Sequence, residues 1–546
     1  MRQARAGLLL SSLEVHFPSV NSFWRSLIWC SWMFSVWLLL WQEGLIRQQV
    51  VYVARDGSDW NRGTATSPLR TVQAAVNRVA TGGIVLIAAG DYAERVRVTR
   101  GGRPGEPTQI RAIVPGTVVI HWEGPASKVS DHSWHRAGSL WRRSVTSPVY
   151  RLRVGDQEAY RVPQGERSLL DLVNRPGAYP AFTQVGNELL LFIPEDVSPE
   201  TPIRWNLPSV GPREWGEFKS ANIHLAASHL RLEGLHLQCG LGSGVRIWRG
   251  KDVTITNCVL SGCQLGVDAH ADGNSIEGLK LERCLYHNYP QGDWRRKWLE
   301  WGDIYTNYAR SSLVRAYDRH AVVSDCVAIH GGDGLQVSSR DCLPVDMLLE
   351  RNWIALGTDD ALEAEGAAAG ITFRRNLVWN CHEGLGLSPV LCGPVRIEQN
   401  LILHPDIEMN GASIKLVPPQ RSSSETIRNI EIRQNQFLGN WLCWYAPGIE
   451  CENVRIIRNQ FIMFRQYDPL FPEGVSHSEN LITELLPNDL DETGAVPPQV
   501  VRQMFSASAE WSILDTVPGP DWWDWKGHPA TAEFWEWRLQ ALEDQP

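Results

Sequence analysis

Short stretches in which apolar and polar residues alternate return along this chain, and they share one phrase. The octets Val253–Leu260, Leu279–Tyr286, Met347–Ile354, Ile371–Val378, Val395–Ile402, Ile430–Phe437 and Val454–Phe461 place apolar residues first and third, mostly polar ones second and fourth, and Asn or Cys sixth. The sixth place falls at Leu235, Cys258, Cys284, Cys326, Asn352, Asn376, Asn400, Asn435 and Asn459, roughly 24 residues apart except where insertions enlarge two repeats. Alternation at period two predicts strands. Strands this short, repeating at this interval, predict a solenoid in which each coil covers the apolar ends of the one before. Equivalent strands then lie about 4.8 Å apart. The sixth-place asparagines form a column, bonding one another and the turn backbone, which removes the cost of burying an unpaired amide. Cys258, Cys284 and Cys326 continue that column as small, weakly polar residues.

Upstream, Val51–Asp59 reads as a first strand, Thr71–Val79 has helical apolar spacing (Val72, Ala75, Val76, Val79), and Gly82–Ala88 with Gly90-Asp91-Tyr92 reads as further strands. With this segment the chain resembles the secreted right-handed parallel β-helix proteins that act on carbohydrates, including alginate- and chondroitin-lyase relatives. That resemblance implies an all-β, right-handed parallel β-helix whose open end is capped by the Thr71–Val79 helix. The predicted organisation is a leader at 1–49, cap and first coils at 50–130, and an antiparallel excursion at 131–220 with a hairpin at Gly186-Asn187-Glu188. Coils follow at 221–465 with an insertion at 286–320, then a Trp-rich capping tail at 466–546 that holds a short helix at Phe534–Leu542.

Leu27–Trp41 is uncharged and rich in tryptophan, follows Arg2, Arg5 and Arg25, and is short for a membrane-spanning helix. It fits the apolar part of a signal sequence or an uncleaved N-terminal anchor, and either places the solenoid outside the cytoplasm. A net charge of −9 argues against nucleic acid as a partner without forbidding an acidic polysaccharide. Eleven cysteines, three of them in the column and none in a CxxC pair, point to buried thiols and give a structural zinc site no support. A capped solenoid is expected to be a monomer.

A second set of strands follows the turns: Ser243–Trp248, Leu265–His270, Asp333–Ser338, Asp360–Glu365, Glu383–Ser388 and Asn410–Lys415. Their third and fifth residues are apolar. Alternation sends the second, fourth and sixth outward, over a floor of Gly and Ala at the second. The outer face then carries Gln336, Ser338, Glu363, Glu365, Ser388, Ser413 and Lys415. Acids lead three successive strands (Asp333, Asp360, Glu383), with Asp359 and His382 beside them. Acids about 5 Å apart repel and raise the pKa of at least one, and an acid–carboxylate pair is what glycosidic hydrolysis uses.

Gly332-Asp333-Gly334, Thr358-Asp359-Asp360, His382-Glu383-Gly384 and Ser413-Ile414-Lys415 also resemble, in order, the motifs of the polygalacturonase family. That likeness implies Asp333, Asp359 and Asp360 as catalytic carboxylates with His382 assisting, and Lys415 as the group that binds a substrate carboxylate; Glu383, which leads the third acidic strand, is a further catalytic candidate. Ser413 stands where the family has arginine, Glu383 intrudes in the histidine motif, and the first asparagine is absent. Hydrolysis is therefore the leading expectation. Elimination is the alternative, with Lys415 as base and Ca²⁺ on Glu363 and Glu365, and a non-catalytic carbohydrate-binding β-helix is the third. Trp294, Arg295, Trp298 and Trp301, with Tyr286 and other aromatics of the insertion, are expected to wall the groove and bind sugar alongside Gln336.

Overall fold

The computed structural model describes residues 48–490, 496–497 and 519–520, without 122, 125, 150, 156, 163–164, 175–179, 206–220, 239–241, 270–275, 288–310, 340, 405–410, 418–425, 446–447 and 466–470. Leu27–Trp41, the tryptophans and Arg295 of the insertion, Asn410, and the tryptophans and helix of the tail lie outside the described residues. No helix among the described residues is long and apolar enough to cross a membrane.

The alternating octets form one continuous parallel sheet of 13 strands from Val50–Val53 to Val475–Ser478. Its register is regular: Met347 pairs with Ile371, Ile371 with Val395, and Val395 with Ile430. After the turn, two more parallel ladders run the length of the molecule. One continues each octet, as in Trp353–Ala355, Leu377–Trp379 and Leu401–Leu403. The other holds the second strands, as in Leu335–Val337, Asp360–Ala364 and Glu383–Gly386. They merge at Gln436–Tyr445, which pairs with both Leu401–Leu403 and Ala412–Leu416. Three stacked parallel ladders around an apolar interior make a parallel β-helix. That interior is a single cluster running from Val51 to Phe471.

The asparagine column is a hydrogen-bonded ladder. Asn352, Asn376, Asn400 and Asn435 each donate through Nδ2 to the Oδ1 of the next, at 3.0, 3.0, 2.9 and 3.0 Å. Asn459 extends it to Asn480 at 3.1 Å. At its other end the Asn352 Oδ1 accepts the Cys326 amide at 3.0 Å, and Cys258 and Cys284 follow, fully buried. The residue before each rung takes a left-handed backbone (Arg351, Arg375, Gln399, Gln434, Arg458, Glu479) and so makes the corner.

Thr71 caps the helix Val72–Arg78 by accepting the Ala74 amide, and Val72, Ala75 and Val76 join the interior. Between Ser127 and Trp205 the chain leaves the coils. There it builds a five-stranded sheet that includes the hairpin Ala181–Val185/Glu188–Phe192, with apolar clusters of its own.

Three features differ from the sequence reading. The coils continue through Val475–Ser478 and Leu481–Glu484 rather than stopping near 465. Ser312–Ala316 is a regular strand between Leu265–Ala269 and Leu335–Val337, so the insertion is confined to the stretch before it. Tyr286 is a core residue, not a groove wall: it is fully buried and its hydroxyl donates to the Cys263 carbonyl at 3.0 Å. Cys342 and Cys392 form a disulfide between turns two coils apart, and Cys258, Cys263, Cys284, Cys326, Cys381 and Cys443 are buried free thiols.

Candidate active site

The outward fourth place of the second strands forms a register column: Arg97, His224, Arg246, Asp268, Arg315, Gln336, Glu363, Gly386, Lys415 and Trp444. This alters one sequence alignment. Lys415 pairs with Gly386 rather than with Ser388, a slip of two residues. A slip of two leaves every side chain on the same face, so alternation alone cannot detect it. Its effect is to bring Lys415 into the midst of the acids.

Lys415 Nζ lies 2.7 Å from Asp360 Oδ2, 3.1 Å from Glu383 Oε2 and 3.6 Å from Asp359 Oδ1. Asp360 and Glu383 face each other on neighbouring strands. Gly386 makes this packing possible, since a Cβ there would lie 2.3 Å from Asp360 Cγ. One oxygen from each of Asp333, Asp359 and Asp360 lies within 4.8 Å of the others. Gln336 Nε2 donates to both Glu363 oxygens, at 3.0 and 2.9 Å. His382 Nδ1 lies 3.7 Å from Glu383 Oε1. Asp360 and Glu383 are almost wholly buried, whereas Asp359, Lys415 and His382 reach solvent at 19%, 17% and 29% side-chain exposure. Trp444, in register with Lys415, is exposed.

Burial and mutual repulsion dominate the electrostatics. Burial, with Glu363, Asp359 and Asp360 nearby, holds Asp333 well above the usual carboxylate range. Burial and then Asp360 push Asp359 up to about 6, and burial and then Glu383 push Asp360 up to about 8. Burial and neighbouring acids raise Glu363 to about 7 and Glu365 to about 9. Burial opposes the Lys415 ammonium, but Asp360, Glu383 and Asp359 outweigh it and hold its pKa above the ordinary lysine value. Burial keeps His382 below its usual pKa in spite of Asp359.

The structure therefore gathers Asp333, Asp359, Asp360, His382, Glu383 and Lys415, with Gln336 and Glu363 at the margin. The acids that bring one oxygen each within 4.8 Å of the others are Asp333, Asp359 and Asp360, while both oxygens of Glu363 accept from Gln336. Sequence reasoning missed Trp444 and the arginines of the column. Arg246 and Asp268 stood at the fourth place of aligned strands and could have been found there.

No family model matches the chain. The uncharacterized protein YwoF of Bacillus subtilis (strain 168) is 38% identical over 77 residues, 14% of this chain and 16% of that protein. A pectate lyase of Emericella nidulans, PEL9, is 30% identical over 91 residues, 16% of this chain and 22% of that protein. The chain thus spans less than a quarter of the length of the curated relatives it matches. Among solved structures, a complex of XylC with xylose has 12% identity and a TM-score of 0.46, covering 80% of this chain and 87% of that one. A GH136 lacto-N-biosidase from Eubacterium ramulus has 13% identity and a TM-score of 0.45, covering 84% and 72%. A mannuronic acid specific family 6 polysaccharide lyase from human gut microbiota has 12% identity and a TM-score of 0.43, covering 84% and 95%. The proteins this chain resembles include both a glycosidase and lyases.

Proposed function

We propose that this protein is an exported polysaccharide lyase that cleaves a uronic-acid polymer by β-elimination. Asp333, Asp359 and Asp360 hold a calcium-type cation and Lys415 is the base. The observation that carries this reading is the convergence of three aspartate oxygens within 4.8 Å, directly beside the Lys415 ammonium. The residues fit a divalent cation. Five acids (Asp333, Asp359, Asp360, Glu363, Glu383) gather with one lysine, and Asp360 Oδ1 is buried without a hydrogen-bond partner. Such an excess of negative charge is relieved by protons or by a hard cation with oxygen ligands. When bound, the cation neutralises the uronate carboxylate and acidifies the hydrogen on the adjacent ring carbon.

With the aspartates occupied by a cation, the negative charge that raises the Lys415 pKa would be neutralised; Lys415 would then release its proton to solvent, and the neutral amine takes that hydrogen as a proton. The electron pair forms the ring double bond as the bond to the glycosidic oxygen breaks, and that oxygen leaves with a proton from solvent. Asp360 and Glu383 fix the position of the Lys415 nitrogen. Trp444, one coil further on, offers a ring face to a sugar. The short match to a pectate lyase is in keeping with this chemistry. The Cys342–Cys392 disulfide and the apolar run at 27–41 support export.

Hydrolysis is the second reading, favoured by the raised pKa of Asp360 and by Glu383 facing it on the neighbouring strand. The aspartate oxygens, within 4.8 Å of one another, lie closer together than the roughly 6.5–9.5 Å of an inverting pair, so hydrolysis here would follow the retaining geometry of about 5–5.5 Å. Against it, the acid best placed to stay protonated is buried beneath Lys415.

Calcium titration followed by thermal melting tests the cation site. Asp359, Glu363 and Asp360 have folded-state pKa values above their unfolded ones. They therefore favour the cation-free fold below about pH 4 and lose that contribution as pH rises through about 6 to 8. Chelator-treated protein should melt lower at pH 8 than at pH 5, and Ca²⁺ should raise the melting temperature more at pH 8. An equal calcium shift at both pH values, or none, counts against the site.

Gly386→Ala should displace the Asp360 carboxylate. Cleavage should fall about 100-fold while the coils stay folded, as judged by circular dichroism.

A further inference from the structure

At the other end of the outward column the same sheet face carries a cavity of about 750 Å³, lined by Arg95, Arg97, Ala221, His224, Arg246 and Trp248. The column itself places three of these in line. Arg97 pairs with His224, His224 with Arg246, and the ladder continues through Asp268, Arg315 and Gln336 to Glu363. Four strand steps separate Arg246 from Glu363, about 19 Å at about 4.8 Å per step.

The cavity is a built site rather than a chance gathering of surface charge. Arg246 is almost wholly buried and stacks its guanidinium over the Trp248 ring at 5.3 Å. Arg95 is braced on the Ala221 carbonyl. The nearest acid, Asp268, is engaged mainly by Arg315, at 3.1 Å, and lies 3.9 Å from Arg246. Positive charge therefore exceeds negative charge around the cavity. Burial, then Arg246, Arg97 and Arg95, push the pKa of His224 down to about 4, so the imidazole is neutral and can hydrogen-bond a hydroxyl in either sense.

We propose that this cavity is a second saccharide site, taking an anionic sugar unit of the polymer whose cleavage point lies at Lys415. Guanidiniums grip a carboxylate or sulfate ester in a planar fork, and the indole offers a face to the ring. The inference rests on the lyase reading for the identity of the polymer, and it goes further in giving the enzyme a remote anionic subsite. A polymer lying along the column meets arginines at one end and acids with a lysine at the other, so its direction and minimum length are set by the sheet.

The test is calorimetric titration of the full chain, in chelator to prevent turnover, with three oligosaccharides of matched length: an oligouronate, a sulfated one and a carboxyl-reduced neutral one. At least one anionic oligomer should bind about tenfold more tightly than the neutral one, and the tighter of the two identifies the anion. Arg97→Glu should weaken that binding about tenfold. Trp248→Ala should weaken it too, providing a second probe that does not change charge. In cleavage assays Arg97→Glu should raise KM for long polymer and leave kcat unchanged. Equal binding of neutral and anionic oligomers, or wild-type binding by both variants, overturns the proposal. The two readings fail separately. An absence of elimination leaves anion binding at the arginines intact, whereas silent Arg97 and Trp248 variants leave cleavage at Lys415 intact.

Discussion

Lys415→Arg is expected to lower kcat about 1000-fold and leave the protein folded. The arginine keeps a positive charge beside Asp360, Glu383 and Asp359, so the electrostatic balance of the buried acids is preserved. What it loses is the capacity to release and take up a proton, since a guanidinium stays protonated at any working pH. Lys415→Ala should be equally inactive but also less stable above about pH 8, because Asp360 and Glu383 then ionise without their partner. The comparison separates a base from a counter-ion. If the arginine variant kept a tenth of the activity or more, Lys415 would be a charge partner only. His382, neutral and partly exposed beside Glu383, would then be the residue to test as base.

The second large effect concerns the fold. Asn400 donates through Nδ2 to the Phe373 carbonyl at 3.1 Å and to Asn435 Oδ1 at 2.9 Å, and its Oδ1 accepts the Asn376 amide at 2.9 Å and Nδ2 at 3.0 Å. All of these groups are buried. Asn400→Leu keeps much of the volume but strands the Asn376 donors and the Phe373 carbonyl. The expected cost is about 4 kcal/mol, the sum of a few unsatisfied groups at about 1–3 kcal/mol each. Because coils contact only their neighbours, the damage should be local. Hydrogen exchange should accelerate in the coils around Asn376 and Asn435 and stay slow near Val85. Arg396→Leu, on the exposed face of the strand Val395–Glu398, is the control and should cost less than about 0.5 kcal/mol. Equal effects of the two substitutions would mean that the ladder is not what holds the coils in register.

The ladder was legible in the sequence because a buried amide must meet its like at every coil, which forces one residue type to recur at one spacing. Asn480 escaped notice because Val475-Ser-His-Ser lacks the apolar third residue that marks the other octets. The strand Ser312–Ala316 was hidden for a different reason: the insertion before it breaks the spacing that identifies its siblings. The acids were legible as a row, since neighbouring coils repeat the Gly or Ala that follows each. The position of Lys415 was not, because a two-residue slip preserves inside and outside alike. The arginine cavity was illegible for a third reason. Arg97 and His224 are separated in sequence by the whole antiparallel excursion, and only the ladder between Val96–Val98 and Ala221–Leu225 reveals them as neighbours. Local pattern gave the coils, and chain closure decided which side chains meet.

Incubation with polymers of galacturonic, mannuronic and guluronic acid in the presence of Ca²⁺, followed by ultraviolet absorbance of the products, tests the central claim most directly. The account predicts unsaturated ends that absorb, appearing with at least one polymer, stopping on chelation and restored by added Ca²⁺. New reducing ends without absorbance, persisting in chelator, would contradict it and return the site to hydrolysis.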